Sequence, residues 1–135
     1  MDNVILSKSA SIERYMQRVQ EEYAAAGDDF STDYTRQDAA LLNLLRACEQ
    51  SIDLANYVVR LKGLWTPKTS RDSFELLQKA KIIPKELGDI LKSMVGFRNI
   101  AIHNYTKLEM AIVESIIENH LDDFKHFTRI LLKDI

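Results

Sequence analysis

Apolar residues along this chain recur at spacings of three and four, without the alternation of a half-buried strand, so the pattern predicts helices and no strands. The first amphipathic stretch runs from about Val4 to Ala26. It sets Ile5, Ile12, Tyr15, Met16, Val19 and Tyr23 on one side and stops near Gly27, Asp28 and Asp29. The second runs from about Asp33 to Leu61, with Leu41, Leu44, Leu45, Cys48, Ile52, Ala55, Val58 and Val59 as its apolar stripe. Its other face carries Arg46, Glu49, Asp53, Asn56 and Arg60.

"KGLWTPKTS" interrupts the pattern. Gly63 can close the second helix and Pro67 forbids its continuation, while Thr69 with Asp72 reads as a capping box for a short third helix, about Arg71 to Ala80. Pro84 suits the first turn of a fourth helix carrying Leu87, Ile90, Leu91, Met94 and Val95. A fifth is expected from about Lys107 to Leu132, its stripe passing through Leu108, Ala111, Ile112, Ser115, Ile116 and Asn119 toward Leu121, Phe124, Phe127 and Leu131. The fold class is therefore all-α, a bundle of about five helices forming one domain over residues 1–135. The stripes are wide enough to leave surface for a symmetric partner.

Composition fits this reading: 46% of the 135 residues are apolar and 28% charged. No run of about 18 uncharged apolar residues offers a membrane span, and the acidic start "MDNVILSKSA" does not resemble a secretory signal, so a cytoplasmic location is expected. The single Cys48 is expected to be a small buried hydrophobe. A net charge of −2 argues against a general nucleic-acid binder, but the charge is uneven. Between Arg60 and Lys107 there are ten Lys or Arg against four acids, whereas the flanks hold eight bases against sixteen acids. Clustered cations attract phosphate, although Lys79, Lys81, Lys85 and Lys92 could equally be solvated helix faces.

The basic segment contains "GFRNIAIHNY", residues 96–105, which crowds Arg98, Asn99, His103, Asn104 and Tyr105 into a stretch a packed core would not furnish that way. Polar residues gathering at a helix end would produce the same string. Chemically, however, an imidazole titrates near neutrality, at about 6.5, and a guanidinium is a permanent cation matched to phosphate oxygens. Together they can cleave a phosphodiester without a metal: His103 assisting attack by a ribose 2′-hydroxyl or protonating the leaving oxygen, Arg98 stabilising charge at phosphorus. On an unbroken helix the two would lie about 140° apart, whereas Asn99 and His103 share a face. Either the chain breaks between them, or the Arg side chain reaches round, or a second copy completes the site; the last two together are favoured. A metal site built from His103, His120, His126, Asp122 and Asp123 has poor spacing, so neither metal nor cofactor is expected. His120 reads as a packing residue and His126 as a surface one. Glu49, Asp53 and Asn56 are spaced to face one way, either into solvent or toward the motif.

Arg98, His103 and Tyr105 in "RNIAIHNY" resemble the R-x4-H-x-Y signature of the HEPN domain superfamily, and within it the HepT toxins of prokaryotic MNT–HEPN toxin–antitoxin pairs. The polar Asn99 after the Arg, the chain length, the helix order and the local basicity also fit. The resemblance implies a metal-independent endoribonuclease in which Arg98 and His103 of two protomers line one cleft of a homodimer. It further implies RNA, with tRNA foremost, as substrate, a 2′,3′-cyclic phosphate product, and a minimal nucleotidyltransferase antitoxin as partner. That partner would transfer AMP from ATP to the Tyr105 hydroxyl and so block the site. Apart from the resemblance, Asn99 and Asn104 within the motif, and Asp53 and Glu49 where their stripe on the second helix faces it, are the candidate supporting polar residues. The competing function is a non-catalytic HEPN module that binds or scaffolds a nucleotidyltransferase.

Overall fold

Asp2 starts the first helix: its carboxylate accepts hydrogen bonds from the backbone N–H groups of Val4 (2.8 Å) and Ile5 (3.0 Å), satisfying donors a helix start leaves open. This helix, α1 (Asn3–Ala26), ends at Gly27, whose φ of 55° lies in the region glycine tolerates best. A 3₁₀ turn (Gly27–Asp29) leads to α2 (Tyr34–Leu61), capped by Asp33, which accepts from the Arg36 N–H at 3.1 Å. The computed structural model describes residues 2–134; Met1 and Ile135, the ends of the expected domain, lie outside the described residues.

α1 and α2 form an antiparallel hairpin, tied near the turn by Arg36 to Glu22 (2.7 Å) and at the far end by the Tyr57 hydroxyl to Asp2 (2.6 Å). The Asp2 bond holds the Tyr57 phenol above its ordinary pKa and keeps the Asp2 carboxyl below the usual range. At the end of α2, Gly63 (φ 64°) donates to the Arg60 carbonyl (3.1 Å) and Leu64 to that of Val59 (2.9 Å), the paired bonds of a Schellman motif. Six residues on, the capping box read from the sequence is present: Thr69 and Asp72 exchange bonds and open α3 (Ser70–Lys79). Pro84 stands just before α4 (Lys85–His103) as its extended N-cap rather than inside its first turn.

α3 and α4 close over α2, and the chain returns through α5 (Met110–Asn119) and α6 (Leu121–Asp134), with α6 lying against α1. One apolar core joins Ile12 and Met16, Leu44 and Leu54, Phe74 and Leu77, Leu91, and Phe124, Phe127 and Leu131, all fully or almost fully buried. The Phe74 and Phe127 rings meet edge to face at 5.6 Å, locking α3 to α6. Cys48 is buried, which pushes its thiol up to about 12 and leaves it inert.

The expected fifth helix is corrected. Tyr105–Lys107 form a 3₁₀ turn, α5 begins only at Met110, and the helix breaks at His120 (φ −127°, ψ 1°). The break is stabilised locally: His120 Nδ1 lies 2.9 Å from Asp123 Oδ2, and the Asp123 N–H donates to the His120 carbonyl at 3.1 Å. The stripe is also rotated from the expected one: Val113, Ile116 and Ile117 are buried, while Ala111 and Ile112 are exposed. The described residues contain no strand, and no helix among them is long and apolar enough to cross a membrane.

Candidate functional site

α4 carries the motif to the protein surface. Its buried face is Leu87, Leu91, Met94, Val95, Phe97 and Ala101, and this packing aims Arg98 back over α2 and α3. Arg98 Nε lies 2.9 Å from Glu49 Oε1 on α2, an ion-pair distance off the hydrogen-bond direction, and Nη2 donates to Ser70 Oγ on α3 at 3.1 Å. The guanidinium is thus held from two helices, with its side chain only 15% exposed. Glu49 is one of the supporting acids expected from the sequence. Asp53, one turn further along α2, faces α1 instead and lies 3.9 Å from Lys8 Nζ. Asn56, next on that face, accepts a hydrogen bond from the Ser73 hydroxyl.

The helix is continuous from Arg98 to His103, which removes a chain break as the answer to their 140° separation. His103 stands exposed in the last turn, with Asn99 exposed on the same face one turn earlier. Asn104 ends the helix, its N–H donating to the Ile100 carbonyl at 2.9 Å and its own side chain in solvent. Tyr105 does not continue the helical face it would share with Arg98. It opens the following 3₁₀ turn and is 54% exposed, its phenol reachable from outside. Ile100, Ile102 and Ile112 are each nearly half exposed, and Ile100 and Ile112 line one surface groove with Phe97 and Lys107.

The cations of the basic segment divide into two groups. Lys79, Lys85 and Lys92 pair with Glu75 and Asp89, so their charge is compensated; Lys92 holds the Glu75 carboxyl below its usual range, and Gln78 followed by Lys85 does the same for Asp89, while Lys79 and Lys85 themselves lie in solvent. Arg60, Lys62, Lys68, Arg71, Lys81 and Lys107 form no ion pair with a described carboxylate, so uncompensated positive charge gathers near the α2–α3 connection and just beyond the motif, with Lys81 apart in the turn after α3. His120 is half-buried at the helix break and His126 is exposed. Ser70 was not legible as a site residue; nothing but its position opening α3 distinguishes it in the sequence.

A profile of ribonuclease HepT-like proteins matches residues 12–131. Over 131 residues, covering 97% of this chain and 98% of the relative, the sequence is 44% identical to the mRNA nuclease HepT of Shewanella oneidensis. Among solved structures, a tri-AMPylated Shewanella oneidensis HEPN toxin in complex with MNT antitoxin superposes with a TM-score of 0.93 at 42% identity, covering 98% of this chain and 99% of that one. A toxin–antitoxin complex with AMP-PNP superposes with a TM-score of 0.90 at 42% identity, covering 96% of this chain and 98% of that one. The helix order and these full-length matches agree: the chain belongs to the ribonuclease HepT-like family of HEPN proteins, and its class of activity is that of a ribonuclease.

Proposed function

We propose that this protein is the toxin of a toxin–antitoxin pair, a metal-independent endoribonuclease working as one domain over residues 1–135. The observation that carries the reading is the contrast between a held guanidinium, Arg98, bound by Glu49 and Ser70, and an open imidazole, His103, at the end of the same unbroken helix. The two cannot converge within one helix without a long reach, so two copies of α4 supply one cleft in a homodimer. In that cleft His103 takes the proton from a ribose 2′-hydroxyl or returns one to the departing 5′-oxygen. The 2′-oxygen bonds to phosphorus as the P–O5′ bond breaks, leaving a 2′,3′-cyclic phosphate and a 5′-hydroxyl, and Arg98 stabilises the charge on the phosphoryl oxygens. Asn99 and Asn104 flank the imidazole and orient substrate, Glu49 fixes Arg98, and Asp53 supports α2 through Lys8.

The partner is an MNT-type nucleotidyltransferase, as in the complex of the Shewanella toxin. It acts on Tyr105, whose exposed phenol follows His103 by two residues; AMP added there brings anionic phosphate into the cleft and competes with RNA. The substrate is RNA, with tRNA and the mRNA of the Shewanella relative's name as the two pools to compare. The reaction takes place in the cytoplasm, where these RNAs are found.

Sequencing RNA ends from cells expressing the chain alone, beside His103→Ala, tests the reading. New ends that vanish with the imidazole support it; cleavage persisting in the variant overturns the role of His103. A non-catalytic binding partner of a nucleotidyltransferase is favoured by one observation, that Arg98 is already paired internally with Glu49 and Ser70. Wild-type protein that binds the transferase and leaves every RNA intact would select it.

A further inference from the structure

Trp65 is the single tryptophan of the chain and, among the described residues, the most exposed large apolar side chain, 79% accessible to solvent. Tryptophan is highly buried on average, so an indole standing in water is unexplained by folding. Nor is it there because the segment is loose. The Schellman bonds of Gly63 and Leu64 fix the chain just before it, and Asp72 fixes the chain just after it by accepting from the backbone N–H groups of Lys68 (3.0 Å) and Thr69 (3.1 Å). Pro67 restricts the residues between. The indole is presented on a short bridge pinned at both ends.

Beside it lies an open groove of about 590 Å³ whose lining includes Arg60, Lys68, Asn56 and Ser70 and no acidic residue. Arg60 and Lys68 are exposed and form no ion pair with a described carboxylate. Ser70, on the groove wall, is the residue that accepts the hydrogen bond from Arg98. An aromatic face, two uncompensated cations and a direct polar link to the candidate catalytic arginine thus occupy one surface.

We propose that this groove is a subsite for single-stranded RNA: one unpaired base stacks on the Trp65 indole, Arg60 and Lys68 hold the adjoining phosphates, and the strand passes over Ser70 toward Arg98. The inference rests on the ribonuclease reading and names how its substrate is gripped. Stacking on an indole tolerates any base, and cations beside it hold the backbone, which is the chemistry single-stranded nucleic acid requires. A paired duplex cannot offer a base face to Trp65, so the groove selects loops and ends over helices.

The sole tryptophan reports on its own occupancy. Full-length His103→Ala protein is titrated with a twelve-nucleotide oligouridylate while indole emission and, separately, filter retention are followed. Binding with saturable quenching is expected, and Trp65→Ala, whose helicity is checked by circular dichroism, should weaken retention by about tenfold, with Trp65→Phe restoring most of it. Lys68→Ala should lower the salt dependence of binding by about one ion. RNA retained without quenching, equal affinities for the three residue-65 forms, no retention at all, or a Trp65→Ala defect confined to antitoxin binding would each overturn the subsite. Wild-type cleavage measured in the same preparations separates the two ideas: cleavage without quenching removes only the subsite, whereas quenching without cleavage removes only the nuclease.

Discussion

Arg98 on α4 and Glu49 on α2 stand 2.9 Å apart, Nε to Oε1, and the carboxylate fixes the direction in which the guanidinium presents its remaining N–H groups. Glu49→Gln keeps the shape and removes the charge. We expect kcat for RNA cleavage to fall about tenfold, the equivalent of ~1.4 kcal/mol at the transition state, with KM nearly unchanged. Steady-state kinetics over RNA concentrations spanning KM measure it; unchanged kcat would show that Arg98 needs no such orientation.

Replacing the two motif residues should separate function from stability unequally. His103→Ala removes an exposed side chain and should shift stability by no more than about 0.5 kcal/mol, whereas Arg98→Ala strips partners from Glu49 and Ser70 and should cost about 1–2 kcal/mol. Both should abolish cleavage, and wild-type activity should survive EDTA. Urea unfolding and RNA assays on the same preparations check the pairing of outcomes.

Light scattering should find a dimer at micromolar concentration. The unbroken helix between Arg98 and His103 makes this a requirement of the shared cleft. A strict monomer that still cuts RNA would sink that arrangement.

Co-expression with an MNT-type nucleotidyltransferase should add one or more AMP units to the intact mass, mapping to Tyr105 and absent from Tyr105→Phe. Loss of cleavage should track the modification. Full inhibition of an unmodified chain would point to occlusion by the bound antitoxin.

Asp89 gives a pH signature. Hydrogen bonds from Gln78 and then Lys85 hold its carboxyl down to about 2 in the folded protein, below the ordinary value of 3.8. A depressed folded pKa contributes stability that is present above the ordinary value and lost as pH falls toward the depressed one. Asp89→Asn should therefore lower Tm at pH 6, and the difference from wild type should close between about pH 4 and pH 2. Thermal melts across that interval measure it; a gap that stays constant would mean the ion pairs contribute nothing.

Helix starts and stops were legible because their chemistry is local. Asp33, Gly63, Thr69 with Asp72, and the boundary at Gly27 each act within four residues, so the sequence displays them directly. The break at His120 was not, and the reason is geometric. Val113, Ile116, Ile117, Leu121, Phe124, Phe127 and Leu131 keep a spacing that one continuous helix would also satisfy, so periodicity carries no trace of the interruption. Glu49 and Asp53 teach the same lesson for the site. One turn apart on α2, they look equivalent in sequence, and only tertiary packing sets Arg98 opposite the first and Lys8 opposite the second.

Tyr23 on α1 hydrogen-bonds Glu118 on α5 across 95 residues of chain, and α6 then lies along α1. During translation the N-terminal hairpin emerges first, at about 5–20 residues per second, and must wait several seconds for its last partners. Until Phe124, Phe127 and Leu131 leave the ribosome, the groove they fill is empty and the bundle cannot lock. Closure of the core is thereby deferred until α6 has been made, so the bundle folds after the synthesis of its first five helices rather than alongside it.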